Sequence, residues 1–399
     1  MTTLPITEMP KDLSEQRSNR PRLGYLDGIR ALAALFILFD HAFRQVEFDK
    51  NASALAPWIA KSFDFLNYGT TLVVVFIVLS GFCLMLPVAN TPDRKPRGGW
   101  KEYFFRRAKR ILPPYYAALL MSLILIFLTP GLQEPTGRAW DTAVPALSPY
   151  PIVAHLFLFH DFTARCFTSI DPPMWSIAIE WHIYLLFPVL LFTWRKLGIL
   201  MVVPVGMFLG YLPHRLSHGL LDFAPFHYIG LFTVGMVACW ISFSNALGAA
   251  RLRASVPWLW VTALLVPQSI FAITHRFGFL SRLRFTDYVP ALGTGSLLIY
   301  CTVASHWDTN RNSYLVRLLE APWIVSIGQF SYSLYLIHYP LQALVYLGLF
   351  RFVPSPELRL CIMWFLCCPI IVGLANYFHL IFEKPFMSAS AKQVHTNHS

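Results

Sequence analysis

The sequence predicts an all-α membrane protein, a polytopic bundle of about ten transmembrane helices with both termini in the cytoplasm. Of its 399 residues, 56% are hydrophobic and 13% are charged, whereas a soluble globular domain carries roughly 25% charged residues. The apolar residues form runs close to the length of about 20 residues that crosses a bilayer as a helix. These runs lie at about 26–46, 66–88, 111–129, 174–194, 197–213, 226–243, 256–274, 288–305, 322–349 and 358–382.

The predicted orientation follows from the basic residues between the runs. Lys and Arg accumulate in cytoplasmic loops, and eight of the 32 lie between Arg94 and Arg110. A cytoplasmic N-terminus places twenty basic residues inside and eleven outside. Because topology explains much of the formal charge of +11, the charge does not indicate nucleic-acid binding. The expected surroundings are a lipid bilayer, and the expected location is the cell membrane.

The polar ends of the chain predict two disordered cytoplasmic tails, 1–22 and 388–399, around one transmembrane domain, 23–387. The first tail lacks the apolar core of a signal peptide, so the first run is expected to be an uncleaved anchor. The seven cysteines show neither CxxC nor metal-like spacing. We therefore predict no disulfide framework and no metal site.

The first apolar run, Leu26–Phe43, contains an arginine and a histidine. Arg30 and His41 are eleven residues apart, which places them on nearly the same helix face and about 16 Å apart along the axis. An ionisable residue within a membrane helix marks a functional site by default. The alternative is an arginine that extends to the lipid headgroups and a histidine bonded to a neighbouring helix.

The second and third runs each carry a short pattern. In FIVLSGF, Phe76–Phe82, small residues allow a helix or a ligand to approach closely, and helix packing is the favoured interpretation. Arg107 and Arg110, three residues apart at the start of the third run, share one helix face. Guanidinium groups there suit a phosphate-bearing ligand, although a topology signal that contacts lipid phosphates explains them equally well.

A long proline-rich connection follows, at 130–173. It contains PIVAHLFLFH, an apolar piece too short to span a bilayer, which predicts a re-entrant or interfacial helix. Long loops in compact proteins are often functional. This loop is therefore a candidate part of an acceptor site.

The fourth and ninth runs supply further polar candidates. Glu180 lies inside the fourth run, one helical turn after Ser176, and a buried carboxylate needs a partner or a proton. Because Glu180 and His41 have similar predicted depths, we expect Glu180 to orient His41 as a general base, with an interhelical hydrogen bond as the alternative. In the ninth run, Tyr335 and His338 are candidates for substrate binding or for interhelical contacts.

Taken together, these segments resemble acyltransferase family 3, which contains bacterial O-acetyltransferases. The first run is similar to the family's LDGLR…H motif, and FIVLSGF is similar to FFVLSGF. The chain departs from the family pattern at Asp40, before the histidine, and at Trp181-His182, after the glutamate. The remaining matches, in chain order, are Arg107 and Arg110 with R-x-x-R, MWSIAIEWHIYLLFP with W-S-x-x-x-E, FSYSLYLIHYP with ISYSLYL-H-P, and FEKPF with E-[RK]-P-F.

The resemblance implies transfer of an acyl group, often acetyl, from cytoplasmic acyl-CoA to a hydroxyl on a carbohydrate, glycolipid or small molecule. It implies no metal. The catalytic residues would be His41, as a general base or as an acyl carrier, and Glu180. The residues that would hold the CoA phosphates are Arg30, Arg107 and Arg110, and those that would contact substrate are Ser176, Tyr335 and His338.

Two other classes of protein use similar residues. A transporter or flippase could use intramembrane Arg, His and Glu as an ion relay, but such proteins often contain internal repeats, and none is found in this sequence. A receptor or scaffold would leave the arginines at one predicted mouth unexplained. Acceptor identity and acyl length stay open.

Overall fold

Helices make up the computed structural model, which describes residues 23–387 except 51–53, 92, 219–220, 222–223, 275–284 and 308–312. No β-strand occurs among these residues, so the predicted all-α class is confirmed. Helices are expected because a segment in lipid must satisfy its backbone hydrogen bonds internally. The predicted terminal tails, 1–22 and 388–399, lie outside the described residues.

The described α-helices follow one another from the first run to the last. They are α1 (Gly24–Glu47), α2 (Pro57–Ser62), α3 (Gly69–Met85), α4 (Gly99–Leu128), α5 (Pro149–Leu156), α6 (Trp175–Leu197), α7 (Val202–Leu216), α8 (Tyr228–Phe243), α9 (Leu247–Ser255), α10 (Trp258–Thr274), α11 (Tyr288–Thr302), α12 (Tyr314–Leu319), α13 (Pro322–Gln329), α14 (Ser331–Phe352), α15 (Pro356–Ile362) and α16 (Cys368–Phe378). Three segments have π-helical hydrogen bonding, namely Val303–Trp307, Met363–Cys367 and His379–Glu383.

Each of the ten predicted runs contains helix, but fewer segments are long and apolar enough to span a bilayer. Within the described residues, six qualify, and α8 with α9, bent by 88°, would make a seventh. Helices α3 and α10 have 17 residues each, about 25 Å, against a hydrocarbon core of about 30 Å. Helix α1 has 24 residues but carries five charged ones. The count of ten and the orientation of the termini therefore stay predictions.

Two predicted runs differ in their boundaries. The run at 322–349 is two helices, because the backbone departs from helical geometry at Phe330 and the Ser331 hydroxyl donates to the Gly328 carbonyl (2.9 Å). Such local hydrogen bonds compete with helix continuation. The run at 111–129 begins earlier, at Gly99. Arg107 and Arg110 therefore lie within the body of α4 rather than at its start.

Close helix crossings depend on glycine. A Cβ on Gly81 would lie 2.0 Å from the Phe232 carbonyl oxygen, and one on Gly235 would lie 2.0 Å from the Val78 carbonyl oxygen. Helices α3 and α8 thus meet backbone to backbone, which confirms the predicted packing role of the Ser-Gly step. At the start of α1, a Cβ on Gly28 would lie 2.0 Å from the Leu319 carbonyl oxygen, so this crossing fixes the position of the following turn.

We expect Gly81→Ala to lower the thermal unfolding midpoint of the detergent-solubilised protein. The added methyl overlaps backbone rather than a flexible side chain, and overpacking costs about 1–3 kcal/mol. Gly373→Ala is the matched control, because a Cβ there meets nothing within 4 Å and removing a helical glycine stabilises by about 0.5–1 kcal/mol. Equal unfolding midpoints for Gly81→Ala and Gly373→Ala would show that α3 and α8 can move apart without loss of stability.

Candidate active site

A cavity of about 680 Å³ lies among α1, α3, α4, α6, α13, α14 and the C-terminal helical segment. Six of the eight predicted site residues line it: Arg30, Arg107, Arg110, Ser176, Glu180 and Tyr335. We call this the polar cavity, and we call the part lined by the three arginines its arginine end. His379 and Lys384, near the C-terminus, line the same cavity. The fold thus brings together residues that are up to about 350 positions apart.

The three arginines differ in how many of their guanidinium N–H groups already have a hydrogen-bond partner. Arg30 donates to the Asp27 carboxylate (2.8 Å) and to the Cys83 sulfur (3.0 Å). The Arg107 guanidinium faces the Tyr184 ring at 5.9 Å, and its Nε is buried without a hydrogen-bond partner. Within the described chain, neither Arg107 nor Arg110 forms an ion pair. Their donors are therefore available to an anionic ligand.

Glu180 does not contact His41, so the predicted pairing is wrong. One Glu180 oxygen accepts hydrogen bonds from the Ser80 hydroxyl (2.9 Å) and the Tyr184 hydroxyl. The Ser80 and Tyr184 hydroxyl oxygens lie 2.7 Å apart. Two residues at a similar depth in the membrane can point in different directions around their helix axes. The Glu180 side chain points from α6 towards α3. Ser80 was not predicted as a site residue, although the Ser-Gly step that contains it was noticed.

The partner of His41 is a second histidine. Nδ1 of His41 lies 2.7 Å from Nε2 of His338, and the two rings are parallel within 1°. Nδ1 of His338 lies 2.8 Å from the Tyr335 carbonyl oxygen and 3.2 Å from that of Leu334. We call His41 and His338 the histidine pair. His338 was predicted to contact substrate, and the structure gives it an interhelical contact.

The hydrogen bonds assign the protons of the histidine pair. A carbonyl oxygen only accepts, so Nδ1 of His338 carries a hydrogen and its Nε2, in the neutral ring, accepts. His41 must then donate from Nδ1. The lone pair of His41 is left on Nε2, the arrangement that a general base requires.

The Asp40 carboxylate faces Nε2 of His41. Its Oδ2 lies 3.8 Å from His41 Nε2 and has no hydrogen-bond partner, while its Oδ1 accepts from Nε of Arg44 at 2.6 Å. The carboxylate is fully buried, and its Oδ2 occupies the space where a Cβ on Gly69 would be. A proton taken up by Nε2 would thus produce an imidazolium beside a carboxylate, which stabilises its charge.

Tyr335 lies between the polar cavity and the histidine pair. Its hydroxyl bonds Ser176 Oγ (2.8 Å) and donates to the Pro173 carbonyl (3.2 Å). Its ring centre lies 5.8 Å from that of His338. Ser176 and Tyr335 therefore meet at the end of the cavity that is nearest His41. Their expected role in substrate binding stays a prediction.

The loop at 130–173 approaches the histidine pair through Tyr339 of α14. The edge-on ring of Tyr339 lies 5.0 Å from His41, and Tyr339 stacks on Trp140 of the loop at 5.9 Å. The apolar piece of the loop forms α5, eight residues long, which confirms a helix too short to span a bilayer. Tyr335 thus links the histidine pair to the polar cavity, and Tyr339 links it to the loop.

Buried histidines hold this loop together. The rings of His155 and His160 stack at 3.8 Å. Burial lowers the pKa of both, that of His155 to about 4, so both are neutral at pH 7. His182, from α6, bonds Asp161 at 2.9 Å, and burial raises the pKa of that carboxyl. Among the described residues, no group of histidine, cysteine and carboxylate side chains has the arrangement of a metal site.

A family model described as an acyltransferase domain, that of acyltransferase family 3, matches residues 23–375. The chain belongs to acyltransferase family 3. The resemblance inferred from the short motifs is therefore confirmed over most of the sequence. Members of this family are integral membrane proteins, and the apolar helices of this chain agree with a multi-pass location in the cell membrane.

Several proteins similar to this chain have names that state an acyltransferase activity. The peptidoglycan O-acetyltransferase OatA of Listeria monocytogenes is 23% identical over 352 residues, which cover 82% of this chain and 50% of that protein. The putative peptidoglycan O-acetyltransferase YrhL of Bacillus subtilis is 23% identical over 393 residues, 90% of this chain and 54% of that protein. The acyltransferase MdmB of Streptomyces mycarofaciens is 28% identical over 182 residues, 45% and 41% of the two chains.

The chain spans about half the length of the curated relatives it matches. No solved structure shows significant similarity to it.

Proposed function

We propose that this chain is an integral membrane O-acyltransferase. It takes an acyl group, commonly acetyl, from acyl-CoA and transfers it to a hydroxyl of a carbohydrate, glycolipid or small-molecule acceptor. The observation that carries the proposal is one continuous arrangement of residues. Arg107 and Arg110, which form no ion pair within the described chain, line the polar cavity together with Tyr335. The Tyr335 ring lies 5.8 Å from that of His338, and the histidine pair leaves a basic nitrogen on His41.

The arginine end suits the donor. Arg107 and Arg110 can each bind a phosphate oxygen pair with two parallel N–H groups. The excess of basic residues around them favours a cytoplasmic position, where acyl-CoA would be available. Arg30 and His41 lie on one helix, α1, about 16 Å apart along its axis. The long pantetheine arm of CoA can cover such a gap while the phosphates stay at the arginines.

The chemistry assigned to His41 is proton transfer. Nε2 of His41 takes the proton of the acceptor hydroxyl while the hydroxyl oxygen attacks the thioester carbonyl carbon. The tetrahedral intermediate then expels the CoA sulfur, which takes the proton from His41 and leaves as a thiol. His338 holds the tautomer, and Asp40 stabilises the imidazolium. An acyl-histidine intermediate is the second route: Nε2 itself attacks the thioester carbon, the C–S bond breaks and CoA leaves as its thiolate. The acceptor hydroxyl then takes the acyl group from Nε2 and gives its proton to the thiolate.

The position of Glu180 in the structure gives it a different proposed role from the one that the sequence predicted. Because Glu180 bonds Ser80 and Tyr184 and lines the polar cavity, it does not orient His41. It lies between the arginine end and Tyr335, along the path proposed for the pantetheine arm. That arm carries two amide groups, and a carboxylate accepts hydrogen bonds from amide N–H. We therefore assign Glu180 to donor positioning.

The acceptor is proposed to approach from the side of the 130–173 loop. Tyr339 and Trp140 give that side of His41 an aromatic surface. Peptidoglycan is named for the relatives OatA and YrhL, and an acyltransferase of Streptomyces is among the matches. Carbohydrate polymers and small secondary metabolites are both included in the proposed acceptor class.

The proposal is tested with purified protein in lipid nanodiscs. Radiolabelled acetyl-CoA is supplied with candidate hydroxyl acceptors, and both acyl transfer and release of free CoA thiol are measured. Mass spectrometry of glycans and metabolites from a deletion strain, in search of a lost acyl mass, identifies the natural acceptor. A protein that moves substrates across vesicle membranes but never forms an acyl ester would instead be a transporter.

Donor binding gives a separate prediction for α4. We expect Arg107→Gln to raise the KM for acetyl-CoA about tenfold or more, since it removes a charged donor from the arginine end, worth about 1.5–3 kcal/mol. Arg106→Gln is the matched control. Arg106 is a neighbour on the same helix but is paired with Glu102 at 3.3 Å and does not line the cavity. Equal KM values for the two variants would contradict the phosphate assignment.

A further inference from the structure

We propose that His379 is a donor-binding residue that contacts an anionic group of the acyl donor beside Arg107 and Arg110, and that Glu383 positions it. The inference deepens the proposed function and rests on it. Glu383 belongs to FEKPF, a motif to which the proposed chemistry gives no role. His379 lies four residues before it and lines the polar cavity.

The first observation is a hydrogen-bonded triad within the helices. Oε2 of Glu383 accepts from Nδ1 of His379 at 2.8 Å and from the Ser333 hydroxyl at 2.7 Å. Glu383 is 1% exposed, and its Oε1 has no hydrogen-bond partner. The two donors therefore fix the carboxyl group. The ring orientation of His379 is fixed in turn, as in other carboxylate–histidine pairs.

The second observation concerns the backbone. His379–Glu383 is a π-helical segment, a rare geometry that is often found at functional sites. In an α-helix, residues five apart differ by about 140° around the axis. The i→i+5 register of a π-helix brings such residues onto one face. This geometry explains how His379 and Lys384, five residues apart, both line the polar cavity.

Charge determines which ligand fits. Nδ1 of His379 is held by the Glu383 carboxylate, so an imidazolium at this place would have its second N–H, at Nε2, left for a ligand in the cavity. Lys384, Arg107 and Arg110 add positive charge to the same lining. The matching ligand carries several negative charges close together, as the phosphates of CoA do.

The two carboxylates of the lining, Asp27 and Glu180, and the phenol of Tyr332 must be considered with this set. Asp27 lines the cavity but is paired with Arg30 at 2.8 Å. Glu180 is bonded to Ser80 and Tyr184. Tyr332, from α14, lines the cavity and donates to the Ile111 carbonyl at 3.1 Å. Both carboxylates of the lining thus already have partners of their own.

The test measures binding of CoA, which carries the phosphates but no acyl group, to the full-length protein in nanodiscs. We expect His379→Gln to raise the Kd for CoA and the KM for acetyl-CoA about tenfold, with a smaller change in kcat. Pantetheine, which has no phosphate, should bind equally weakly to both proteins.

Three further variants complete the design. His306→Gln is the matched control, since His306 also lies in a π-helical segment but is exposed and does not line the cavity. Glu383→Gln should shift the KM in the same direction as His379→Gln. If Glu383→Gln fails to fold, Ser333→Ala removes only one hydrogen bond from the carboxylate and should give a smaller shift.

The possible outcomes separate the two proposals. If wild-type protein binds CoA and His379→Gln binds it equally well, the His379 assignment is overturned while acyl transfer stands. The same holds if the variant loses affinity for pantetheine as strongly as for CoA. If wild-type protein binds CoA in a His379-dependent way but forms no ester, the transfer function fails alone. If wild-type protein binds no CoA, both are overturned.

Discussion

The His41→Ala variant is expected to lose about three orders of magnitude in kcat for acyl transfer. General bases contribute about 10²–10⁴-fold to rate, and in this site Nε2 of His41 is the nitrogen of the histidine pair left with a free lone pair. The loss is measured as ester formation from radiolabelled acetyl-CoA at saturating donor. CoA binding should be unchanged, because the arginine end lies about three helical turns away.

His306→Ala provides the control for this variant, since it removes an exposed histidine that does not line the cavity and should keep wild-type activity. Full transferase activity in His41→Ala would remove His41 from the reaction. A rapid-quench experiment with donor and without acceptor separates the two routes. An acetyl mass increment on His41 would establish the acyl-histidine route, and its absence in the presence of donor alone favours direct transfer.

The membrane-helix pattern was predictable because it depends on local chemistry. Apolar runs of near-spanning length became helices, and the spacing of Arg30 and His41 set both side chains on α1 without tertiary information. Breaks within runs were not predictable in the same way. The end of α13 depends on a Ser331–Gly328 hydrogen bond and on close packing at Gly328, where a Cβ would lie 2.0 Å from the Asp27 carbonyl oxygen.

The sequence predicted most of the residues that line the cavity but not the partners of Glu180 and His41. Depth in the membrane is inferred from position along a run; it placed Arg30, Arg107 and Arg110 together, and the three line one cavity. Direction around a helix axis relative to its neighbours cannot be inferred from one sequence. Glu180 therefore matched His41 in depth but faces Ser80 instead. His338 is almost 300 residues from His41, and no local signal connects them.

Helix α1 connects the two ends of the proposed reaction path. Its first turns hold Arg30 at the arginine end, fixed by the crossing at Gly28, and its later turns hold Asp40, His41 and Arg44. A rigid helix keeps the spacing between donor phosphates and the basic nitrogen constant. Substitutions that shift α1 as a whole should therefore change kcat and donor KM together, unlike substitutions at either end.

The second large effect is expected from His338→Phe. Phenylalanine keeps an aromatic ring of similar size but removes the Nε2 acceptor, so His41 is free to place its hydrogen on Nε2 and lose the basic position. In serine hydrolases, the corresponding loss of the correct tautomer costs about 10⁴-fold in kcat. Because His338 is a neutral partner rather than a carboxylate, we expect a smaller loss, about 10–100-fold, with the KM for acetyl-CoA unchanged.

His338→Gln distinguishes orientation from packing. Glutamine fits the space less well than phenylalanine but offers a side-chain carbonyl that can accept from Nδ1 of His41. If His338 acts by fixing the tautomer, His338→Gln should keep more activity than His338→Phe, although it disturbs the packing more. The reverse order would mean that ring stacking, and not the hydrogen bond, is what His41 requires from its partner.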